Sequence, residues 1–345
     1  MEIIAGIVLV VLAGCGTGTM AWPLKAVRKY DFEHVWLVGM FFGLIVIPWT
    51  VVFLSVLDPV RVYREVSPAL IVKSNIFAIC WGIANVLLGV CYVRIGAALS
   101  GAILTGLGLS VGVILPFFFK GTGVFAEAPG LLSPPGIATL CGVFLILLGV
   151  AISAKAGFAR DRTKQSDEKT SGGFLGGLIL ITIAGVLSAG ISFSFIYAQA
   201  PIVAAMKSQG ANDIAANCAV WAAGLLGGAI VNTAYPAYIM TKKKTWRRLF
   251  ESTYDLCVSL LFGLQFIAAV VLLGQGMVLL GALGASVGFA IMQSIQILGN
   301  QAVGFVSGEW KGVHGSPRAL MIISVVVLVI AIVVLALGNF LAAGS

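Results

Sequence analysis

The chain has 345 residues, of which 60% are apolar and 10% are charged, with 43 glycines and a formal net charge of +8. This composition excludes a water-soluble domain of this size. The basic residues lie in short connections between apolar stretches, so the positive charge does not predict nucleic-acid binding. The surroundings of the chain are therefore lipid, where a helix satisfies the hydrogen bonds of its own backbone.

Ten apolar stretches are long enough to cross a bilayer as helices, a crossing that needs about 20 residues. They are residues 3–22, 35–57, 71–93, 95–119, 136–157, 174–198, 214–240, 256–280, 282–307 and 319–341. The first stretch has no basic segment before it and no small-residue cleavage site, so we predict a retained span and not a signal peptide. The sequence predicts an all-α integral membrane protein with ten transmembrane helices.

Most of the 21 Lys and Arg residues lie in alternate connections, namely those between spans 1 and 2, 3 and 4, 5 and 6, 7 and 8, and 9 and 10. The positive-inside rule places such connections in the cytoplasm. We therefore predict a multi-pass protein of the bacterial cytoplasmic (inner) membrane with both termini on the non-cytoplasmic side. The six cysteines all fall inside spans without CxxC spacing, so neither a disulfide nor a metal site is predicted.

A hydrophilic segment at residues 159–172 divides the ten spans into five and five. An odd number of spans in each half gives the halves opposite directions through the membrane, as in inverted-repeat transporters. GIVLVVLAG at 6–14 aligns without a gap with GLILITIAG at 177–185, and Trp81-Gly82 is echoed by Phe262-Gly263. We predict a first five-helix repeat at 1–158, a linker at 159–172 and a second five-helix repeat at 173–345.

Uncharged polar residues fall on single faces of several predicted spans. These faces are Ser74, Trp81, Asn85 and Tyr92 in the third span, Ser188, Ser192, Phe195 and Gln199 in the sixth, Asn217, Trp221, Gly224, Gly228 and Asn232 in the seventh, Ser286, Gln293, Gln296 and Asn300 in the ninth, and Gln265 in the eighth. Polar groups inside lipid face one another, water or a ligand. Amides and hydroxyls interleaved with aromatic rings suit a neutral polyol; the alternative is hydrogen bonding between helices.

All thirteen acidic residues lie in connections or at span ends, and His34 and His314 lie at the membrane boundary, where we expect them to be solvated. An intramembrane enzyme acting on lipid-linked sugars would need an acidic metal-binding cluster or a general base. The chain shows no such constellation, so we predict no catalytic residue and no enzyme. The group that would couple transport to an ion gradient is not visible among the acidic residues.

Several motifs resemble a known family. The runs PLKAVRKY (23–30), PW (48–49), WGIAN (81–85), LSAGISF (187–193) and GEW (308–310) are similar to the bacterial L-rhamnose-proton symporter family of the drug/metabolite transporter superfamily. The resemblance implies two inverted five-helix halves, a central cavity reached alternately from each side, and cavity-lining roles for Trp81, Asn85, Ser188 and Ser192. Family members carry an acidic residue in the ninth span, where this chain reads GASVGFAIMQ (284–293), so the coupling ion is left open as H⁺ or Na⁺.

The resulting prediction is a secondary active transporter that takes up L-rhamnose or a related monosaccharide, without a cofactor or a bound metal. The predicted substrate-binding residues are Trp81, Asn85, Ser188, Ser192, Gln199, Gln265, Gln293 and Gln296. Its expected partners are a small neutral sugar and membrane lipid, with no nucleic acid, and the protein is expected to be a monomer or a weak oligomer. The alternatives are a transporter or facilitator for another neutral metabolite, an intramembrane enzyme on lipid-linked sugars, and a non-transporting sensor or structural subunit.

Overall fold

The computed structural model describes residues 2–118, 132–164, 173–280 and 289–343, and every regular element within these ranges is a helix. In the first half they are α1 (Glu2–Gly18), α2 (Trp22–Ala26), α3 (Phe32–Phe41), a π-helical turn (Phe42–Val46), α4 (Ile47–Ser55), α5 (Pro59–Arg64), α6 (Pro68–Arg94), α7 (Ala97–Phe118) and α8 (Pro134–Lys164). The second half contains α9 (Phe174–Ser188), α10 (Gly190–Ser208), α11 (Asp213–Gly224), α12 (Leu226–Lys243), a 3-10 helix (Trp246–Phe250), α13 (Thr253–Leu279), α14 (Phe289–Val306) and α15 (Ser316–Ala343).

The described part of the chain is that of a multi-pass membrane protein. Six helical segments are long and apolar enough to cross a bilayer, or seven if α11 and α12, which meet at 58°, form one broken span. This is fewer than the ten predicted spans, although each predicted stretch contains a helix. The apolar parts of α1 (Ile4–Gly18) and α7 (Ala97–Gly112) are shorter than a full crossing, and the start of the ninth stretch lies outside the described residues.

Several predicted spans are interrupted where the sequence pattern gave continuous helices. The sixth stretch breaks at Ala189 between α9 and α10, and the seventh breaks at Leu225 between α11 and α12. The π-helical turn precedes Pro48, whose missing N–H cannot take part in a regular helical ladder. Helix α8 continues to Lys164, so the first six residues of the predicted linker are helical and the rest of it lies outside the described residues.

The helices pack in a regular pattern of neighbours. Helix α1 packs against α13 and α14, while α9 packs against α6 and α7. Helix α3 packs against α12 and α13, while α12 packs against α3 and α6. The most extensive contact between two helices joins α8 and α15.

Glycines allow the backbones of neighbouring helices to touch at two of these contacts. Gly82 on α6 lies against Gly228 on α12, and Gly263 on α13 lies against Gly39 and Gly43 on the second stretch. A Cβ added at Gly82 would lie 2.8 Å from the Cα atom of Gly228. Small residues of this kind let the backbones of two helices approach closely. Such packing stabilises helix association in lipid, where the hydrophobic effect does not drive helices together.

We expect the substitution Gly82→Ala to lower the free energy of unfolding by about 1–3 kcal/mol, because the new methyl group meets backbone atoms that cannot move independently. Thermal unfolding of the detergent-solubilised protein measures the effect. Gly176→Ala is the matched control, since a Cβ there meets no atom within 4 Å. Equal unfolding temperatures for the two variants would contradict the close packing of α6 on α12.

The ion pairs that join the first and second halves of the described chain lie at one end of the bundle. We call it the basic end; it comprises the connections at residues 23–31, 94–97, 159–172, 244–252 and 307–315 in so far as they are described. Asp255 is fully buried and accepts the backbone N–H groups of Arg28, Lys29 and Tyr30 at 3.0, 2.7 and 3.1 Å. Burial, followed by the Asp255 charge, raises the pKa of the Tyr30 phenol, which donates to the Leu249 carbonyl at 2.6 Å.

His34 is also at the basic end, but the expectation that it is solvated was wrong. Its side chain is fully buried, and its Nδ1 accepts the Asp31 N–H while Nε2 donates to the Thr245 carbonyl at 3.1 Å. Its neighbours Asp31 and Glu33 pair with Arg248 and Lys243 of the second half. The sequence could not show this because each partner is about 210 residues away along the chain. His314 is exposed, as expected.

Candidate functional site

A cavity of about 310 Å³ lies in the middle of the bundle, between α1, α6, α7, α9, α10, α11, α13 and α14. This volume lies within the range of about 300–1,000 Å³ that is usual for small-molecule sites. Most of the wall is apolar or aromatic, and the polar groups on it are amides and hydroxyls. Among the described residues, the lining contains no acidic, basic or histidine side chain. The space therefore suits an uncharged molecule with some hydrogen-bonding groups.

Six of the eight residues predicted as substrate-binding line this cavity. They are Trp81 and Asn85 on α6, Ser188 at the end of α9, Ser192 on α10, and Gln293 and Gln296 on α14. The break at Ala189 brings Ser188 and Ser192 to the same wall from two different helices. The indole of Trp81 stacks on Phe266 with ring centroids 5.8 Å apart, which gives the cavity a flat aromatic face.

Gln265 and Gln199, the other two predicted residues, lie outside the cavity. The Gln265 side chain joins α13 to the first span: its Oε1 accepts from Trp22 Nε1 at 2.8 Å, and its Nε2 donates to the Gly16 carbonyl and Thr19 Oγ1. Gln199 shares a helix face with Ser192 but stands two turns, about 10 Å, further along α10. Helical phase predicts the face of the helix on which a residue lies, but not the position of that residue along the helix relative to the cavity.

Some polar faces predicted from the sequence make hydrogen bonds between helices. Ser74 Oγ donates to the Ser194 carbonyl at 2.9 Å, and Ser194 Oγ donates to the Gly224 carbonyl at 2.8 Å. The second bond gives a partner to a carbonyl oxygen at the end of α11, where the helix no longer supplies one. Asn232 Oδ1 accepts from both Asn85 Nδ2 and Trp36 Nε1 at 2.9 Å. These residues support the alternative of interhelical bonding. Ser286 lies outside the described residues.

The structure adds two polar groups that the list of predicted site residues omitted. Thr105 and Trp221 line the cavity, are 1% and 5% exposed, and their Oγ1 and Nε1 atoms have no hydrogen-bond partner in the described part of the chain. Buried polar atoms without partners are costly, so such atoms in a cavity wall point to a ligand or water. Trp221 was part of a predicted polar face. Thr105 shares its face with Gly108 and Gly112, and this face carries glycines where the other predicted faces carry amides, so the sequence does not mark it as polar.

Potential metal ligands gather away from the cavity. In the described ranges, Asp31, Glu33 and His34 form a group whose ligand atoms lie within 4.8 Å of one another at the basic end. Each carboxylate in it is paired with a basic side chain, and His34 is hydrogen-bonded through both ring nitrogens. All six cysteines are free thiols. The group is therefore explained as part of the contact between the two halves.

Comparison with known proteins identifies the family. Residues 1–342 match the family described as L-rhamnose-proton symport protein. The chain belongs to this family. A relative in Yersinia pestis (strain Pestoides F) named L-rhamnose-proton symporter is 27% identical over 346 residues, covering 97% of this chain and 98% of the relative. The protein of the same name in Yersinia pseudotuberculosis serotype O:3 (strain YPIII) has the same identity and coverage.

Membership of the L-rhamnose-proton symport family excludes the enzyme alternative, because symporters move solutes and do not convert them. The expected resemblance to this family is thereby confirmed over nearly the whole chain. The family name describes symport with protons, although the cavity has no acidic, basic or histidine side chain among the described residues that line it. The mechanism of symport is therefore inferred below from the arrangement of the helices and the chemistry of the cavity wall.

Proposed function

We propose that the protein takes up L-rhamnose or a related monosaccharide by alternating access, driven by the proton gradient. The observation that carries the proposal is a central cavity, lined by amides, hydroxyls and indoles and free of charge in its described lining, in a chain of the L-rhamnose-proton symport family. A neutral sugar offers hydroxyls to the polar groups and C–H faces to the rings. The relatives named L-rhamnose-proton symporter support rhamnose as the first sugar to test.

Within the cavity, each wall has a distinct role in this proposal. Gln293 and Gln296 on α14 hydrogen-bond sugar hydroxyls, and Thr105 and the Trp221 indole N–H offer further hydrogen bonds that no group in the described part of the chain takes. Trp81 packs its ring face against the sugar ring. Asn85 already donates to Asn232, so its free oxygen is the group that faces a hydroxyl donor.

Two inverted repeats of five helices account for the packing of the bundle. If α9 corresponds to α1, α13 to α6, α14 to α7 and α12 to α3, three pairs of contacts exchange: α1 on α13 with α9 on α6, α1 on α14 with α9 on α7, and α3 on α13 with α12 on α6. The contact of α3 with α12 maps onto itself. The glycine contacts exchange in the same way, Gly82 against Gly228 with Gly263 against Gly43. This correspondence supports repeats at 1–158 and 173–345 and ten spans, with α1, α7 and α14 among them. Rocking of one repeat against the other then exposes the cavity to each side in turn.

The positive-inside rule assigns the basic end to the cytoplasm of a bacterial inner membrane and both termini to the other side. The described lining of the cavity extends to Gly112 and Met277 but includes no residue of the basic end. Ion pairs between the two halves hold that end together. We therefore assign the structure to a state closed toward the cytoplasm.

Uptake of labelled L-rhamnose into proteoliposomes tests the proposal. We expect accumulation above the external concentration when the interior is alkaline, and loss of accumulation when a protonophore collapses the gradient. A sodium gradient imposed without a pH gradient tests the rival coupling ion, and accumulation under that condition alone would replace H⁺ by Na⁺. Uptake that stops when the internal and external sugar concentrations are equal would indicate a facilitator. Uptake measured with a panel of deoxyhexoses, hexoses and pentoses would reveal another neutral substrate.

Gln265 should affect stability and not sugar recognition, because its three hydrogen bonds all join α13 to the first span. We expect Gln265→Met, which retains the volume of the side chain, to lower the free energy of unfolding by about 1–3 kcal/mol. Thermal unfolding and rhamnose binding are measured on the same purified sample. A large loss of affinity with unchanged stability would return Gln265 to the binding site.

A further inference from the structure

The carboxylate of Glu309 joins the loop after α14 to three connections of the first half of the chain. Its Oε1 accepts the Ala97 N–H at 2.7 Å and its Oε2 accepts the Ala98 N–H at 3.3 Å, at the start of α7. Lys25 Nζ lies 2.8 Å from Oε1, and Arg160 Nη1 lies 4.0 Å from Oε2. The Glu309 side chain is only 9% exposed, so these contacts replace most of its hydration.

Two glycines make room for this carboxylate. Gly96 has a φ of 90°, and a Cβ added there would clash with the carboxylate itself. A Cβ at Gly304 would lie 2.9 Å from Glu309 Oε2. Because any side chain at either position would displace the carboxylate, the local backbone is shaped to hold it against the N-terminus of α7.

Glu309 is also close to the floor of the cavity. Tyr92 lines the cavity, donates its phenol O–H to Asn300 Oδ1 at 3.0 Å, and interacts electrostatically with Glu309. Asn300 is one helical turn, about 6 Å, from Gly304, which touches the Glu309 carboxylate. A polar layer of Tyr92 and Asn300 thus lies between the cavity and Glu309.

The other buried carboxylates of the basic end lack this connection. Asp255 is bound by three backbone amides, and it stands 11 residues, about 16 Å, from the nearest cavity-lining residue of α13, Phe266. Glu33 pairs with Lys243, a side chain that is 54% exposed. Among the described acidic residues, Glu309 is the one that combines burial and two cationic partners with a position next to the polar layer of Tyr92 and Asn300.

We propose that Glu309 binds the coupling proton and that its protonation releases the contacts that close the basic end. The inference rests on the proposed function and adds to it the proton site that the cavity lining does not provide. One proton reaches the carboxylate from the cavity side past Tyr92 and leaves on the cytoplasmic side after opening. Protonation removes the negative charge that holds Lys25 and Arg160, which weakens the contact between the two halves at that end.

The titratable groups that face Glu309 set the sign of its response to pH. Among the described residues they include Lys25 from α2, Arg160 from α8 and Tyr92 from α6, while α7 presents backbone N–H groups. Lys25 and Arg160 attract the negatively charged carboxylate, and removing either one weakens the contact that closes the basic end. The pH dependence of transport should therefore follow these two residues.

The first test is Glu309→Gln in proteoliposomes, with rhamnose-dependent proton flux, accumulation in a pH gradient and rhamnose exchange at equal concentrations measured side by side. We expect exchange to continue while proton flux and accumulation fall to background, because a neutral amide cannot carry the proton. Glu33→Gln makes the same change at another buried carboxylate of the basic end and should retain coupling. Proton flux that persists in Glu309→Gln, or that is lost equally in both variants, overturns the proposal.

The second test keeps the carboxylate and removes a partner. In Lys25→Met we expect the pH of half-maximal proton-driven uptake to rise by on the order of one unit. An unchanged midpoint overturns the proposal even where Glu309→Gln does not fold. Absence of exchange in the unsubstituted protein would instead count against the transport function itself, so the two failures are distinguishable.

Discussion

Gly112→Phe is expected to abolish sugar uptake while leaving the protein folded. Gly112 lines the cavity, and a Cβ added there meets no atom of the described residues within 4 Å, so the new ring enters the 310 Å³ space that the sugar is proposed to occupy. Its backbone is helical, and the substitution introduces no strain from a positive φ. We expect initial uptake of labelled rhamnose to fall by about two orders of magnitude or more, the loss that complete occlusion of a binding site produces.

Gly176→Phe provides the matched control for this block. Gly176 also has open space at its Cβ position, but it lies on α9 outside the cavity lining. Both variants should elute as folded protein and unfold at similar temperatures, while only Gly112→Phe loses uptake. Normal uptake by Gly112→Phe would show that the sugar does not pass through this cavity.

Gln293→Ala is expected to weaken rhamnose binding by about 10- to 100-fold, which corresponds to losing about 1.4–2.7 kcal/mol of hydrogen bonding in a buried site. The Gln293 side chain is 8% exposed, lines the cavity and lies in the ninth predicted span. Binding is measured from the change in tryptophan fluorescence, because Trp81 and Trp221 both line the cavity.

Gln199→Ala removes the same type of amide from a position on α10 about 10 Å beyond Ser192 and outside the cavity lining, and it should bind rhamnose normally. The pair therefore separates the effect of location from the effect of losing a glutamine. Equal loss of affinity in both variants would mean that the sugar site extends beyond the described cavity. Unchanged affinity in Gln293→Ala would remove α14 from the site.

The sequence predicts the class of this fold because lipid imposes a simple rule. Long apolar stretches in lipid become helices, and each of the ten predicted stretches does contain helix. Interruptions such as those at Ala189 and Leu225 depend on which neighbour satisfies the freed backbone groups. Ser74 and Ser194 do so for the carbonyl of Gly224, and neither is close to it in sequence. Long-range contacts of this kind leave no periodic signal.

Helical phase identified most of the polar residues on the cavity wall but could not decide what each polar group binds. Trp81, Asn85, Ser192 and Gln293 line the space, as their faces predicted. Gln265 has the same character in the sequence but forms hydrogen bonds with the first span. The choice between a ligand and a neighbouring helix depends on the distance between helices, which the sequence pattern does not contain.

Charge is separated from the cavity along the axis of the bundle. Amides, hydroxyls and rings form the described wall, while Asp255, Glu33 and Glu309 are buried at the basic end and paired across the two halves. An uncharged wall binds a neutral sugar without desolvating an ion, which would be costly in lipid. Ion pairs at one end can then respond to protonation without being part of the sugar site.

Protection of an introduced thiol by sugar tests the central claim most directly. In a variant whose six native cysteines are replaced, Ser192→Cys places a thiol on the cavity wall, and Gly176→Cys places one outside it. We predict that L-rhamnose slows the reaction of N-ethylmaleimide with Ser192→Cys in a concentration-dependent manner and leaves Gly176→Cys unaffected. Equal labelling of Ser192→Cys with and without saturating rhamnose, in protein that still transports it, would contradict binding in this cavity.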